Sequence, residues 1–273
     1  MTDSTKSHYR HSVRMLVPFV RGLLGIPSSL SHACTLMAQD IHPAPRQLNT
    51  QNITPESTFI LAINHFDRPG LGAWWGASLV VATVAKYRTE PREPRGVMAR
   101  EWWYPNGWAR KIKQPLTRWA FGQIAKAYGM VTLPPVNEEY QGTAGIDVRR
   151  ILAFTRGDNP ELVAIAPEGF TGVNGTLKKP PSGAGLLLSM LSHDTIPFLP
   201  AANYEDDNNI LTVNFGKPFL LNVPRSLARE QRDCEASRQV MIEIGKLLPE
   251  RMWGVYAEDI RRSLQLERLQ VPS

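Results

Sequence analysis

The chain has 273 residues, of which 42% are hydrophobic and 21% are charged, and its lysines and arginines exceed its acidic residues by six. This composition predicts a globular protein with enough apolar material for a core, and it excludes a disordered or fibrous chain. The basic excess favours an anionic partner. Cys34 and Cys234 lie far apart in the sequence, so we expect reduced thiols and neither a disulfide framework nor a metal site.

The N-terminal apolar region is interrupted by Pro18, Arg21 and Pro27, so it predicts no signal peptide. No segment has the length and apolar character of a transmembrane helix. From both observations we expect a cytoplasmic protein. Residues 13–24 place their apolar side chains at helical spacing, which predicts an amphipathic helix. Its apolar face either packs on the domain or lies in a membrane surface; the sequence leaves both open.

Apolar segments that alternate between strand and helix patterns follow over residues 58–215. Strands are predicted at 58–63, 96–99, 129–133, 161–166, 196–202 and 210–215. Helices are predicted at 71–85, 103–128 (with breaks at Pro105–Gly107 and Pro115), 144–154, 181–191, 229–248 and 256–269. This order predicts a single α/β domain with a largely parallel, mixed sheet flanked by helices.

The expected organisation has three parts. Residues 1–54 form an N-terminal amphipathic helical segment, and the stretch 42–57 is a connector. Residues 55–225 form the α/β domain. Residues 226–273 form C-terminal helices that pack on the same domain.

Two predicted strands end in polar side chains that could carry chemistry. The first is followed by Asn64-His65-Phe66-Asp67, and the fourth by Pro167-Glu168-Gly169. A histidine can take a proton from a hydroxyl near neutral pH if a second group orients its ring. Since neighbouring parallel strands end at the same edge of a sheet, the two motifs can form one site.

The pair formed by Asn64-His65 and Pro167-Glu168-Gly169 resembles the glycerolipid (lysophospholipid) acyltransferase family. Further similarity covers about residues 55–220, in Val97-Met-Ala-Arg-Glu-Trp102, Pro181-Ser-Gly-Ala-Gly185, Ile196-Pro-Phe-Leu-Pro200 and Phe215-Gly-Lys-Pro-Phe219. The resemblance implies transfer of a fatty acyl group from acyl-CoA or acyl-ACP (acyl carrier protein) to a lysophospholipid or related hydroxyl. It implies no bound cofactor or metal.

The resemblance also implies roles for individual residues. His65 would be the general base, and Asp67 would orient it, because Gly70 stands where the family has an aspartate. Asp67 is equally compatible with a solvent-facing side chain or one paired with Arg68. The residues expected to bind substrate are Asn64, Arg68, Arg100, Glu168, Gly169, Phe170 and Thr171. Two arginines of the family pattern are missing, at Thr171 and in Thr132-Leu133-Pro134, so the acceptor stays open.

Two other functions stay open beside acyl transfer. Missing family residues are compatible with a catalytically silent relative that binds lipid or membrane, and a thioesterase or lipid hydrolase would use His65 to activate water. Residues 86–119 contain nine cations, and five aromatic residues besides Tyr87 lie among them. This pattern favours a peripheral association with anionic membrane over a solvated basic helix with tryptophans in the core, and argues against nucleic acid.

Overall fold

The computed structural model describes residues 8–90, 92–135, 137–140, 142–170, 172, 175–193 and 195–270. A seven-stranded mixed sheet forms its centre, with strands in the order β3-β9-β8-β4-β7-β5-β6. These strands are β3 (Arg46–Leu48), β4 (Ile60–Ile63), β5 (Arg95–Ala99), β6 (Val131–Leu133), β7 (Val163–Ile165), β8 (Phe198–Glu205) and β9 (Leu211–Phe215). All neighbouring pairs are parallel except β8 and β9. The predicted α/β fold with a largely parallel sheet is confirmed.

Helices cover the sheet, and a short antiparallel pair, β1 (His8–Tyr9) with β2 (Ile41–His42), precedes it. The helices are α1 (Leu16–Leu23), α2 (Leu30–Gln39), α3 (Ala73–Tyr87), α4 (Trp108–Tyr128), α5 (Gly145–Phe154), α6 (Ala184–Ser192), α7 (Arg229–Gly245) and α8 (Ala257–Gln270). α2 packs on α3 as an outer layer, and α6 packs on α7, which contacts β8.

β4 lies at the middle of the sheet, and this position accounts for its entirely apolar sequence. All four of its residues are buried, because a parallel strand between two neighbours is covered on both faces. Its backbone hydrogen bonds go to β7 on one side and β8 on the other. The side chains that follow Ile63 therefore project from a strand that is paired on both sides and buried along its whole length.

Two local predictions need correction. The stretch 42–57 is not only a connector, because Arg46–Leu48 forms β3 beside β9. A three-residue strand is too short to show periodicity, and its hydrogen bonds come from a partner far along the chain. The expected break at Pro115 also does not occur, since α4 continues through it. A proline inside a helix removes one hydrogen bond, and the other turns of this long helix keep theirs.

The apolar face of the N-terminal helix points outward. Its predicted members are exposed: Val13, Leu16, Val17, Val20 and Leu24. The buried residues of α1 are Pro18 and Gly22, and the Tyr128 hydroxyl of α4 donates a 3.0 Å hydrogen bond to the Pro18 carbonyl. The helix therefore does pack on the domain, against α4, but through Pro18 and Gly22 and not through its apolar face. Within the described residues, no helix combines the length and apolar character that crossing a membrane requires.

Candidate active site

His65 directly follows β4, and its backbone N–H donates to Glu168 Oε2 at 2.9 Å. The side chain is half-buried. Burial lowers the pKa of His65, and the negative charge of Asp67 raises it in part. The imidazole is therefore neutral at neutral pH, which is the form that accepts a proton.

Glu168 lies fully buried three residues after β7, the neighbour of β4 in the sheet. Its second oxygen accepts a 2.7 Å hydrogen bond from the Lys178 backbone N–H. Burial raises the pKa of Glu168 from its ordinary value of 4.5 to about 7, against the opposing effect of the two backbone donors and the Lys178 charge. Because both oxygens bind main-chain amides, we interpret Glu168 as a residue that positions the backbone of His65.

The segment behind Glu168 is attached to the C-terminal part of the chain. Leu177 donates its N–H to the Met252 carbonyl at 2.9 Å and accepts from Val255 at 3.3 Å. Gly254 has φ +52°, and a Cβ there would lie 2.1 Å from the Leu177 carbonyl oxygen, so only glycine allows this approach. Leu177 thus sets the place of Lys178, which in turn binds Glu168.

Asn64 forms a clamp between β4 and β8. Its side-chain amide donates to the Asn203 carbonyl at 3.0 Å, and its side-chain oxygen accepts from the Asn203 backbone N–H at 2.8 Å. The Asn203 side chain donates to the Asn64 carbonyl at 2.9 Å. Gly76 leaves room for this pair, since a Cβ there would lie 2.0 Å from Asn203 Oδ1. These contacts indicate that Asn64 fixes the strand end from which His65 projects.

The two arginines expected to bind substrate have carboxylate partners. Arg68 forms a bidentate ion pair with Glu205, which also accepts the Tyr9 hydroxyl at 2.7 Å. Arg100 pairs with Asp147 of α5. Arg100 follows β5, which β7 separates from β4. The structure thus places Arg68 near the His65 loop and brings neither arginine there as an uncompensated charge.

The remaining predicted residues lie around the turn after β7. Gly169 has φ +70° and donates its N–H to the Ala166 carbonyl at 3.1 Å, so the turn needs a left-handed residue. The exposed Phe170 ring has Lys178 Nζ 4.8 Å from its centre. Thr171 lies outside the described residues. Asp67 is half-buried and acts on His65 electrostatically, while Arg68 engages Glu205 instead.

The sequence analysis did not identify Asn203, Glu205 or Lys178 as residues that contact the site. Asn203 and Glu205 interrupt the otherwise apolar strand β8, in which every residue is buried. A buried polar residue in such a strand needs a partner, and this is the signal that could have found them. Within the described part of the chain, no group of histidine, cysteine or acidic side chains is arranged to hold a metal ion.

Comparison with known proteins assigns no function to this chain. No family model matches the chain, and no curated protein matches it. Among solved structures it is similar to the 1-acyl-sn-glycerophosphate (LPA) acyltransferase PlsC from Thermotoga maritima, with 12% identity and a TM-score of 0.43 over 95% of this chain and 81% of that one. At these values the similarity transfers neither an activity nor site residues to this chain.

Proposed function

We propose that the protein is an acyltransferase that moves a fatty acyl group from a CoA or acyl-carrier-protein thioester to a hydroxyl of a lysophospholipid or related acceptor. The observation that carries the proposal is the half-buried, neutral His65 at the end of the central strand, held through its backbone by Glu168 and accompanied by the charge of Asp67. This arrangement suits a general base with an orienting partner.

The proposed reaction proceeds in two steps. His65 takes the proton of the acceptor hydroxyl, whose oxygen attacks the thioester carbonyl to form a tetrahedral intermediate. The carbon–sulfur bond then breaks, and the leaving thiolate takes the proton from the imidazolium, which gives an ester and a free thiol. A thioester is already activated, so positioning, a base and oxyanion donors suffice. We expect those donors to be main-chain amides of the turn after Glu168.

Lys178 is the cation that we propose for an anionic group of the acceptor. Arg68 and Arg100 are compensated by Glu205 and Asp147. Lys178 lies over the exposed Phe170 ring and makes no ion pair with any described residue. Its backbone is fixed by Glu168, which also binds His65. A phosphate bound there would bring its hydroxyl toward the base.

We further propose that α4 docks on anionic membrane, where a lipid acceptor is found. Trp108, Ile112, Leu116 and Trp119 follow one another at helical spacing and are 52–64% exposed. No acidic residue occurs between Trp102 and Asn137, and α4 contains several cations. Arg110 and Arg118 pair with acidic groups, whereas Lys113 lies 4.9 Å from the Trp108 ring. Tryptophan beside lysine suits the boundary between headgroups and water.

Labelled acyl-CoA and acyl-ACP, each offered with a panel of lysolipids, test the activity. We expect an esterified product that disappears in His65→Ala. Free fatty acid formed independently of the acceptor would show that the protein is a hydrolase and not an acyltransferase. No turnover combined with normal binding to vesicles would instead support the catalytically silent relative. The ion pairs of Arg68 and Arg100 favour that alternative, because both charges are compensated within the protein.

Vesicle binding tests the membrane part separately. We expect binding to phosphatidylglycerol vesicles to weaken at least tenfold in Ile112→Glu, because the substitution places a charge in the apolar row, and to fall as salt rises from about 0.1 to about 0.5 M. Ile146→Glu is the matched control, since Ile146 is also about as exposed but lies on α5. Equal binding by the two variants would remove α4 from the docking surface.

A further inference from the structure

A second candidate site lies between α1 and α2. It is a pocket of about 480 Å³, lined on its polar side by Arg14, Arg21, Ser28 and His32. Val17 and Leu36 are among its apolar lining residues. The pocket therefore combines basic groups and hydrogen-bond donors with an apolar wall, a combination that the site around His65 does not explain.

The two arginines supply positive charge that the surrounding protein leaves uncompensated. Arg21 donates to the Ser28 hydroxyl at 2.9 Å and to the Pro27 carbonyl at 2.7 Å, which orients the guanidinium through neutral acceptors. Neither Arg14 nor Arg21 forms an ion pair with a described residue. A planar, oriented guanidinium without a carboxylate is suited to bind phosphate oxygens.

Two carboxylates, Glu93 and Asp40, lie near this pocket, and neither lines it. Asp40, at the end of α2, accepts the Ser12 backbone N–H at 2.7 Å. Glu93 accepts the Ser29 hydroxyl at 2.5 Å and the Ser31 backbone N–H at 2.9 Å. Ser29 lines the pocket, but Glu93 itself does not. Its two contacts hold the first turn of α2, whereas the residues that line the pocket include two arginines and no carboxylate. The charge at the pocket therefore stays positive.

The apolar wall continues outward along the exposed row of α1. Val17 belongs both to this row and to the pocket; Leu16 and Val20 lie beside it on α1, and Val13 lies in the 3-10 turn, Val13–Met15, that precedes α1. A free phosphate would use only the arginines, whereas a ligand with an anionic head and a hydrocarbon tail uses both surfaces. We propose that the pocket binds the phosphate of an anionic phospholipid, with the acyl chains along the exposed row of α1.

The inference deepens the proposed membrane association and does not require acyl transfer. A chain that binds lipid here but transfers no acyl group would retain this site and lose the proposed activity. Conversely, an active enzyme without this pocket function would keep turnover. The two proposals therefore fail in different experiments.

The test uses monomeric dioctanoyl phosphatidylglycerol below its critical micelle concentration and the full chain, with binding followed by calorimetry. We expect one saturable site whose affinity falls at least tenfold in Arg14→Gln and in Arg21→Gln. Arg262→Gln, an exposed arginine that does not line this pocket, is expected to bind as the parent protein does. Inorganic phosphate and dioctanoyl phosphatidylcholine are expected to bind at least tenfold more weakly.

If inorganic phosphate bound as tightly as dioctanoyl phosphatidylglycerol, the pocket would be a site for a simple anion, and the proposal would be overturned. Unchanged affinity in both arginine variants would do the same. A photoreactive phosphatidylglycerol gives a result that is independent of any variant's folding. We expect cross-links in residues 13–36, and cross-links confined to α4 or to the His65 loop would contradict the site.

Discussion

Glu168 and Glu101 are both fully buried and both follow strands that are neighbours in the sheet, β7 and β5. The Glu101 carboxylate binds side chains, namely Arg118, Gln114 and Tyr140. Burial raises its pKa, but hydrogen bonds from Arg118, Tyr140 and Gln114 outweigh burial, and the pKa is lowered. The Glu168 carboxylate binds the backbone amides of His65 and Lys178, and burial raises its pKa to about 7.

We interpret this difference as the one between a structural anchor and a residue that supports the proposed base. A cation and neutral donors keep Glu101 ionised and attach the first half of α4, through Gln114 and Arg118, to the end of β5. Two main-chain donors and the charge of Lys178, which does not bind the carboxylate through its side chain, leave the pKa of Glu168 at about 7, where it holds the candidate base. Perturbed carboxylates with so little compensation concentrate at functional sites. Burial alone would not have distinguished the two residues; the identity of their donors does.

The largest expected effect is on catalysis at the end of β4. His65→Gln should lower turnover by about 10²–10⁴-fold, because the proton acceptor is lost, with little change in thermal stability. Glu101→Gln should show the opposite pattern, a lower stability with normal turnover per folded molecule. Kinetics and thermal unfolding of both variants test this contrast. A His65→Gln enzyme with more than a tenth of the parent activity would contradict it.

The next effect concerns stability and pH at Glu168. Its pKa rises from 4.5 to about 7 on folding, so between these values the native state binds more protons than the unfolded state. This contribution to the free energy of unfolding is complete below about pH 4.5 and is lost as pH rises through about 7, by up to about 3 kcal/mol. Urea unfolding of the parent and Glu168→Gln from pH 4.5 to 8 measures it. The stability difference between them should shrink with rising pH, and a constant difference would be contrary to expectation.

Glu101 should show the opposite sign. Its folded pKa is lowered, so its contribution is present above the ordinary value of 4.5 and is lost as pH falls through the folded pKa. At pH 7, Glu101→Gln should cost about 2 kcal/mol, a value limited by the exposure of Arg118 to solvent. The same urea series, extended into acid, provides the measurement. A destabilisation that grows in acid would refute the comparison.

The smallest expected effect is at Asp67. Asp67→Asn should lower turnover about tenfold, because the orienting charge is lost. The substitution should also lower the pKa of His65 further, since Asp67 is the group that raises it. The acid limb of the kcat/KM profile should therefore move to lower pH. A drop in rate without this shift would mean that Asp67 supports the loop and not the base.

The sequence predicted the strands that are apolar runs and missed the elements that depend on partners. The central strands were predicted because four or more consecutive apolar residues bounded by turn residues have few alternatives. β3 was missed because its three residues acquire a strand conformation only beside β9. The side of α1 that contacts α4 could not be predicted either. The spacing of apolar residues defines an apolar face of the helix, but it does not show whether that face contacts the rest of the protein.

The candidate site was predicted in its residues more than in their roles. His65 and Glu168 could be paired because parallel strands end at one edge. Asn64 and Arg68 bind Asn203 and Glu205 of β8, and such contacts between distant segments follow from the register of the strands. Local sequence contains no information on that register. A side chain that is expected to bind substrate can thus be engaged in a hydrogen bond or an ion pair within the protein.

The attachment of Leu177 between Met252 and Val255 has a practical consequence. Four hydrogen bonds, two at Leu177 and two at Glu168, connect the C-terminal region to the backbone of His65 by way of Lys178. A polypeptide shortened before residue 252 would keep every predicted site residue and still lose the support of its base. Residues 252–255 are therefore part of the smallest unit in which activity should be sought.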